Sequence, residues 1–348
     1  MHILFIMDEL KRLKPRYDSS LFLVKECYRR GHSTWFADTP DIFSETQDVF
    51  AQARPITPSR FPRESNPLKS GHAYRLGKAC TQNLLEFDLI LIRKEPPFDL
   101  NYVYMTYLLE RVAPRVVISN HPRGIRNTNE KLGCLVFSKW MPKTLATSQI
   151  ALIEDFQAAL EKDIVLKPLD QKGGIGIQRI AWKSKQLSKI LRQMTCGETR
   201  MIMAQEFIET GERARDKRIT LLGGKVLWMF EKRAAKKNFL TNLDQGGEAF
   251  STALTAQDEK LLDDIRPYLK SQGLHLVGLD VMGGKLIDLN VTCPGGFVEA
   301  IPLYPKQRLI APWADSLEDQ VSQFQKSLKS LRSRAHNQDK AERAQSLL

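Results

Sequence analysis

The run Val277-Gly278-Leu279-Asp280-Val281-Met282-Gly283-Gly284-Lys285-Leu286-Ile287-Asp288-Leu289-Asn290 constrains this chain more than any other. Two apolar segments flank Gly283-Gly284, a pair that tolerates the positive φ angles of a tight turn, so the run predicts a β-hairpin. On its second strand Ile287 and Leu289 alternate with Asp288 and Asn290. Period-two alternation puts Asp288 and Asn290 on one face, and Asp280 on the facing strand can join them. Two carboxylates and an amide carbonyl are hard oxygen ligands of the kind Mg²⁺ takes together with phosphate oxygens. A plain surface hairpin with its polar side in water fits the same run, and the run alone does not separate the two.

The rest of the chain narrows the choice. Its 348 residues are long for one core and predict two or three packed lobes. Hydrophobic residues at 42% and charged residues at 26% describe an ordinary globular protein. No apolar run approaches the roughly 18 residues that span a bilayer. The apolar start, Met1 to Asp8, is too short and lacks the basic flank of a signal peptide; it reads as a first buried strand ending in an acid. Cys27, Cys80, Cys134, Cys196 and Cys293 form no CxxC pair and are odd in number, and the histidines show no HExxH spacing. That speaks against a disulfide framework or a zinc site and for a reducing, cytoplasmic compartment. Cys293 alone lies near the suspected site, as a functional thiol or as a small pocket-lining residue. The net charge of +12 fits nucleic acid, an acidic membrane surface or an anionic substrate. The basic clusters at 11–16, 213–218, 231–237 and the C-terminal tail have no interleaved aromatics to stack bases, which favours solvated faces plus a polyanion pocket over nucleic acid; no membrane is expected as partner.

Along the chain, residues 2–7 predict a strand, Asp18 or Ser19 can cap a helix that Gly31 ends, and 33–38 predict a second strand. This β-α-β start lacks a GxGxxG turn. Residues 44–77 are polar and Pro-rich and predict an irregular loop with short strands. Residues 87–92 form an apolar strand that runs into Arg93-Lys94-Glu95-Pro96-Pro97-Phe98-Asp99, leaving charges at the strand end where parallel sheets bind ligands. A helix over 102–111 and a strand over 116–119 complete a parallel-sheet lobe. Beyond it we expect a helix over 129–138, strands over 144–146, 164–169, 177–180 and 201–208, and a helix over 149–162. Asp170-Gln171-Lys172-Gly173-Gly174-Ile175-Gly176 is a Gly-rich turn that can lay backbone N–H groups on a phosphate, or can be a plain hairpin turn. A hairpin about Gly223-Gly224, a basic stretch over 232–247 that suits a mobile loop over the site, and a helix over 255–272 follow. A terminal helix and frayed tail are expected over 316–348.

Together these landmarks resemble the ATP-grasp ligases, and most closely the bacterial type of glutathione synthetase. The matching pieces are Met7-Asp8, Asp18-Ser19-Ser20, Ile92 to Asp99, Asn120, Asn129-Glu130-Lys131-Leu132, Lys167-Pro168-Leu169-Asp170 with Gly173-Gly174, Ala204-Gln205, Asp216-Lys217-Arg218, Gly278-Leu279-Asp280 and Asp288-Leu289-Asn290-Val291-Thr292. The resemblance implies an α/β chain with an α+β lid: an ATP-grasp fold behind an N-terminal parallel-sheet (pre-ATP-grasp) domain. It divides the chain into a substrate domain at 1–125, a small lid subdomain at 126–205, a metal and nucleotide subdomain at 206–315, and a helix and tail at 316–348. It implies ATP between two antiparallel sheets, with Lys131 and Lys167 on its phosphates, Gly173 and Gly174 over the triphosphate, Gln205, Glu206, Phe207 and Ile208 along the adenine, and Asp216 near the ribose. Asp280, Asp288 and Asn290 would hold Mg²⁺ or Mn²⁺. Lys131, Lys167 and Arg233 would be catalytic, and Asp18, Ser19, Arg93 and Asn242 would bind substrate, although Arg93 also fits a structural salt bridge. The implied reaction phosphorylates the carboxylate of a γ-glutamyl dipeptide and joins it to an amino acid, glycine in the family, in a homo-oligomer.

The chain departs from the family where the acceptor is handled. Leu240 stands at an arginine position, the arginine before that loop aligns with Lys232 or, one residue shifted, with Arg233, and Cys293-Pro294-Gly295-Gly296 replaces Ser-Pro-Thr. Two other readings follow: a paralogue that ligates a different amine, and a non-catalytic nucleotide- or nucleic-acid-binding protein on the same scaffold.

Overall fold

A computed structural model describes residues 1–13, 18–60, 73–236 and 238–345. Parts of the basic clusters at 11–16 and 231–237, of the stretch 44–77 and of the tail lie outside the described residues.

The first lobe is one mixed sheet built on β1 (His2–Met7), β2 (Ser33–Ala37), β3 (Ile42–Glu45), β4 (Asp48–Arg60), β5 (Ala73–Leu76), β6 (Cys80–Asn83), β7 (Leu89–Arg93) and β8 (Val117–Ser119). Its centre, β2-β1-β7-β8, is parallel. The central strands read as apolar runs because both faces are covered: β1 is buried from Ile3 to Met7 and β7 throughout. Helix α1 (Ser19–Arg29) starts where Asp18 caps the Leu21 amide at 2.9 Å, and α2 (Leu100–Val112) starts on Asp99 in the same way. α3 (Pro122–Asn127) closes the lobe.

The loop expected over 44–77 is, in its described part, largely the long strand β4. Its prolines misled. Pro55 lies where β4 passes from β6 to β5, and Pro58 borders a register shift against β5, both places where a ladder can spare an N–H. The helix expected over 129–138 is a 3₁₀ helix at Leu132–Trp140, kinked at Phe137.

The second sheet is antiparallel, in the order β11-β10-β12-β9, from β9 (Thr144–Thr147), β10 (Ile164–Pro168), β11 (Gln178–Ile180) and β12 (Ile202–Glu206). It is backed by α4 (Ile150–Leu160) and α5 (Leu187–Met194). Ile153, Ile164, Leu166, Ile180, Leu191, Ile202 and Ala204 close a core of their own there, while Met203 of β12 joins a different cluster.

The third sheet runs β15-β14-β13-β16-β17, from β13 (Arg215–Leu222), β14 (Lys225–Arg233), β15 (Glu248–Phe250), β16 (Leu276–Met282) and β17 (Lys285–Asn290). Helix α6 (Ala256–Ser271) is set by a capping box between Thr255 and Asp258. After α7 (Phe297–Ala300), α8 (Ile310–Gln345) starts earlier than the expected 316. Two large cores tie the third sheet to the first lobe: one joins Leu4 and Ile90 to Leu279 and Leu289, the other joins Phe5 and Phe22 to Trp228, Phe297 and Trp313.

The hairpin β16–β17 turns at Gly283 (φ 56°) and Gly284 (φ 74°), both left-handed, as its sequence predicts. Its register holds one surprise. Val281 pairs with Leu286 and Asp280 with Asp288, so Ile287 is an extra residue, a β-bulge. Leu286 and Leu289 are both fully buried, and Ile287 turns to the pocket beside Asp288 and Asn290. The expected pairing of Ile287 with Leu289 on one face is corrected accordingly: the bulge breaks strict alternation.

Candidate active site

The cleft where the three sheets meet holds a cavity of about 290 Å³. The second sheet supplies Val165, Lys167, Gln205 and Glu206, with Phe207 and Ile208 just past β12; the third supplies Asp216, Arg218, Lys232, Asp280, Asp288 and Asn290. Glu95 and Pro96 close it from the first lobe, and the Gly-rich turn and residues 239–243 from two further sides.

Adjacent antiparallel strands place the charges. Asp216 pairs with Lys232 across β13–β14, Arg218 with Asp280 across β13–β16, and Asp280 with Asp288 across the hairpin. Asp216, Lys232 and Asp280 are nearly withdrawn from solvent and Arg218 is half-buried, and buried charges persist only where they are paired. Asp280 accepts from Arg218 Nε at 2.8 Å and Nη2 at 2.9 Å, from Lys232 Nζ at 2.8 Å and from Asn290 Nδ2 at 3.0 Å. Burial pushes its carboxyl up, but the Arg218 guanidinium and the Lys232 ammonium outweigh that and hold it below the ordinary carboxylate range. Asp216 shares Lys232, whose Nζ lies 2.9 Å from its Oδ2, and burial raises it to about 6. The two carboxylates together offset the burial of Lys232 and raise it.

Asp288 is different. Its Oδ1 is buried without a hydrogen-bond partner, and Lys167 Nζ stands 4.0 Å away while donating to Ile287 O at 3.1 Å. Asn290 spends its Nδ2 on Gly278 O and Asp280, which leaves its carbonyl oxygen as the free end. An orphaned carboxylate oxygen and an amide oxygen on one strand suit a hard divalent cation. Among the described residues no group of three or more His, Cys, Asp and Glu gathers as a protein-only metal cage, so any cation here must draw further oxygens from substrate or water.

Lys131 Nζ donates to Gln171 O at 2.7 Å, tethering the Gly-rich turn. Gly173 and Gly174 adopt φ of 63° and 79°, and a Cβ on Gly174 would lie 2.7 Å from Asn242 Oδ1. Lys172 is ion-paired with Glu95, which docks the turn on the first lobe. Next to Lys131, Glu130 Oε1 accepts from Val291 N (3.0 Å), Thr292 N (3.1 Å) and Thr292 Oγ1 (2.7 Å), so it fixes the end of β17 to Lys131. Gln205 turns its amide to Thr144 at 3.0 Å, Glu206 pairs with Lys162 at 2.6 Å, which lowers its carboxyl, and Phe207 lies under the Arg179 guanidinium.

Two expectations need correction, the inward place of Arg233 and a salt bridge at Arg93. Arg233 does not enter the cleft: one residue past Lys232, it points to the opposite face, pairs with Glu231 at 2.6 Å and lies over Phe250. Lys232 occupies the inward position. Asp18, Ser19 and Arg93 do not line the cavity. Asp18 is the α1 cap, its buried carboxyl raised, and Ser19 is buried in the first turn. Arg93, 4% exposed, donates to Ser20 Oγ and Pro294 O, each at 3.0 Å, and among the described residues it has no carboxylate at ion-pair distance, so it is not the salt bridge considered from sequence. Within the stretch 232–247, Lys232, Ala234 and Thr241 are buried and Phe239 to Leu243 border the cavity. Cys293 lines the cavity as a neutral thiol, its pKa raised by burial. Sequence reasoning missed Arg218, Glu130 and Lys172 as site residues. The i, i+2 spacing of Asp216 and Arg218 on one strand was the available signal for the first.

Two family models cover most of the chain: prokaryotic glutathione synthetase, N-terminal domain, at residues 1–126, and prokaryotic glutathione synthetase, ATP-grasp domain, at residues 130–303. Relatives named glutathione synthetase include one from Nitrosomonas europaea, 38% identical over 86% of this chain and 92% of its own length. Another, from Parasynechococcus marenigrum, is 35% identical over 86% of this chain and 93% of its own. Among solved structures, a D-cycloserine synthetase superposes with a TM-score of 0.60 at 14% identity, over 90% of this chain and 99% of that one, which speaks for the ATP-grasp fold alone.

Proposed function

This chain belongs to the prokaryotic glutathione synthetase family and is an ATP-dependent carbon–nitrogen ligase, and from that premise we propose that it joins γ-glutamylcysteine to glycine with release of ADP and phosphate. The observation that carries the assignment to this cleft is that Lys131, Lys167, Asp280, Asp288 and Asn290, far apart in sequence, line one cavity.

Lys131 and Lys167 contact the phosphates as point charges, and the amides of Gly173 and Gly174 cover them. Gln205, Glu206, Phe207 and Ile208 border the base, and Asp216 the ribose. Asp280, Asp288 and Asn290 would hold Mg²⁺ or Mn²⁺, and the chemistry such an ion would supply is to offset negative charge on the phosphates. Lys232 and Arg218 take the cationic place expected of Arg233 and steady the acyl phosphate that the amine then attacks. Asn242 borders the Gly-rich turn. Outside the cavity, held by Ser20 and Pro294, Arg93 is assigned to the dipeptide's acidic groups together with Asp18 and Ser19. The division at 125, 205 and 315, a homo-oligomeric state and a cytoplasmic location belong to the same proposal. No helix among the described residues is long and apolar enough to cross a membrane.

The test is ADP release by the purified full chain. Release that needs both γ-glutamylcysteine and glycine is expected; release without any γ-glutamyl compound would sink the assignment. A second reading keeps the donor and changes the amine, because Leu240, Cys293, Gly295 and Gly296 all line the cavity. An amine screen at fixed ATP and γ-glutamylcysteine, with glycine turned over more slowly than another amine, favours it.

A further inference from the structure

Two carboxylates that face one another across the hairpin are in opposite conditions. Asp280 has both oxygens taken, by Arg218, Lys232 and Asn290. Asp288 keeps a buried oxygen with no hydrogen-bond partner, 4.0 Å from Lys167 Nζ.

The two cations on Asp280 are not equivalent. Arg218 is held in the plane of the carboxylate by two parallel bonds, the strong and directional arrangement of a guanidinium. Lys232 is shared, 2.8 Å from Asp280 Oδ1 and 2.9 Å from Asp216 Oδ2, at the end of a stem with rotatable bonds. It also has somewhere to go: Asp216 Oδ1 is buried and unpartnered. Lys232 can leave Asp280 without becoming an unpaired buried charge.

We propose that Lys232 is the internal counter-ion of Asp280 in the ligand-free enzyme, a place-holder for the divalent cation, and that a metal binds well only when a nucleotide's phosphates draw the ammonium away. The proposal rests on the metal role given above to Asp280, Asp288 and Asn290. A Mg²⁺-sized ion sits about 2.1 Å from its ligand oxygens. An ammonium hydrogen-bonded to the same oxygen is then a like charge pressed against it in a medium of low effective dielectric. A bare cation meets a carboxylate that is already neutralised. A metal–triphosphate brings the anionic oxygens that rehouse Lys232. Metal and nucleotide therefore strengthen each other's binding, and by linkage the coupling is equal in both directions.

Mn²⁺ binding to the nucleotide-free full chain, read from the electron paramagnetic resonance of the free ion, tests this. Lys232→Met should bind Mn²⁺ at least about tenfold more tightly than the parent, and Lys232→Arg, which keeps the charge, should stay with the parent. Adding a non-hydrolysable ATP analogue should shrink the gap between parent and Lys232→Met to below about threefold. Equal Mn²⁺ affinity of parent and Lys232→Met without nucleotide overturns the place-holder. Asp288→Asn separates the two ideas: if it leaves Mn²⁺ binding in the presence of the analogue unchanged, the metal assignment itself fails and takes this proposal with it. Should Lys232→Met not fold, the ¹⁵Nζ resonance of Lys232 in the parent serves instead. It should move when Mg²⁺ and the analogue are added together and stay in place with Mg²⁺ alone; no movement in either case overturns the proposal.

Discussion

Asp288 combines partial burial with an oxygen that no donor in the protein satisfies, a condition that costs stability unless something else uses that oxygen. Truncating it should therefore hurt chemistry and spare the fold. We expect Asp288→Ala to lower kcat by at least about a hundredfold, which is ~3 kcal/mol of barrier, with a melting temperature within a few degrees of the parent. Near-normal turnover in that variant rejects the metal role. The same scale shows where sequence reasoning reached and where it stopped. Asp280, Asp288 and Asn290 were legible because their chemistry is unusual for a hairpin and their spacing is local. Lys232 and Arg233 are not separable from sequence, because a one-residue shift changes little in a sequence match but reverses the face on a strand, where neighbours point opposite ways. Arg218 stayed hidden because its role as the bidentate partner of Asp280 depends on which strand lies next to β13, and that is fixed by tertiary pairing.

Among elements, the Gly-rich turn carries the clearest liability. Gly174 needs a left-handed φ and has Asn242 Oδ1 and Leu240 Cδ1 where a side chain would start. A β-carbon in that conformation costs about 1–2 kcal/mol before any clash. Gly174→Ala should weaken ATP binding by about tenfold, measured by calorimetry with the non-hydrolysable analogue, through displacement of the turn; unchanged affinity would show that the turn does not cover the phosphates. Most helices and strands were readable, because caps such as Asp18 and Thr255 and apolar runs such as 89–93 are local signals. β4 was not, since its prolines are tolerated only through a change of partners along the strand. The bulge at Ile287 was equally invisible: it is a property of two strands in register, and neither sequence carries it alone.

The whole molecule is fastened at its C-terminal end by α8. His275, on the approach to β16, places its Nε2 2.7 Å from Ser316 Oγ of that helix, and Arg30, just past α1, reaches Asp315 and Glu318. Burial lowers the His275 pKa from 6.5 to about 4. The ring is neutral in the fold, and the unfolded chain takes up the proton more readily. Its contribution is thus fully present above pH ~6.5 and is lost as pH falls toward ~4, at most about 3 kcal/mol. Urea midpoints should fall between about pH 7.5 and about pH 4.5, and His275→Gln should flatten part of that slope. A slope identical to the parent's would remove His275 from the account. Among the described residues, the two large cores that join the first lobe to the third sheet take little from the block at 144–206: Met203 enters one of them and Leu169 packs against it. The four strands and two helices between residues 144 and 206 therefore behave as a cassette. A block that packs chiefly on itself can tilt as one piece, and it would carry Lys167, Gln205 and Glu206 of the cleft with it.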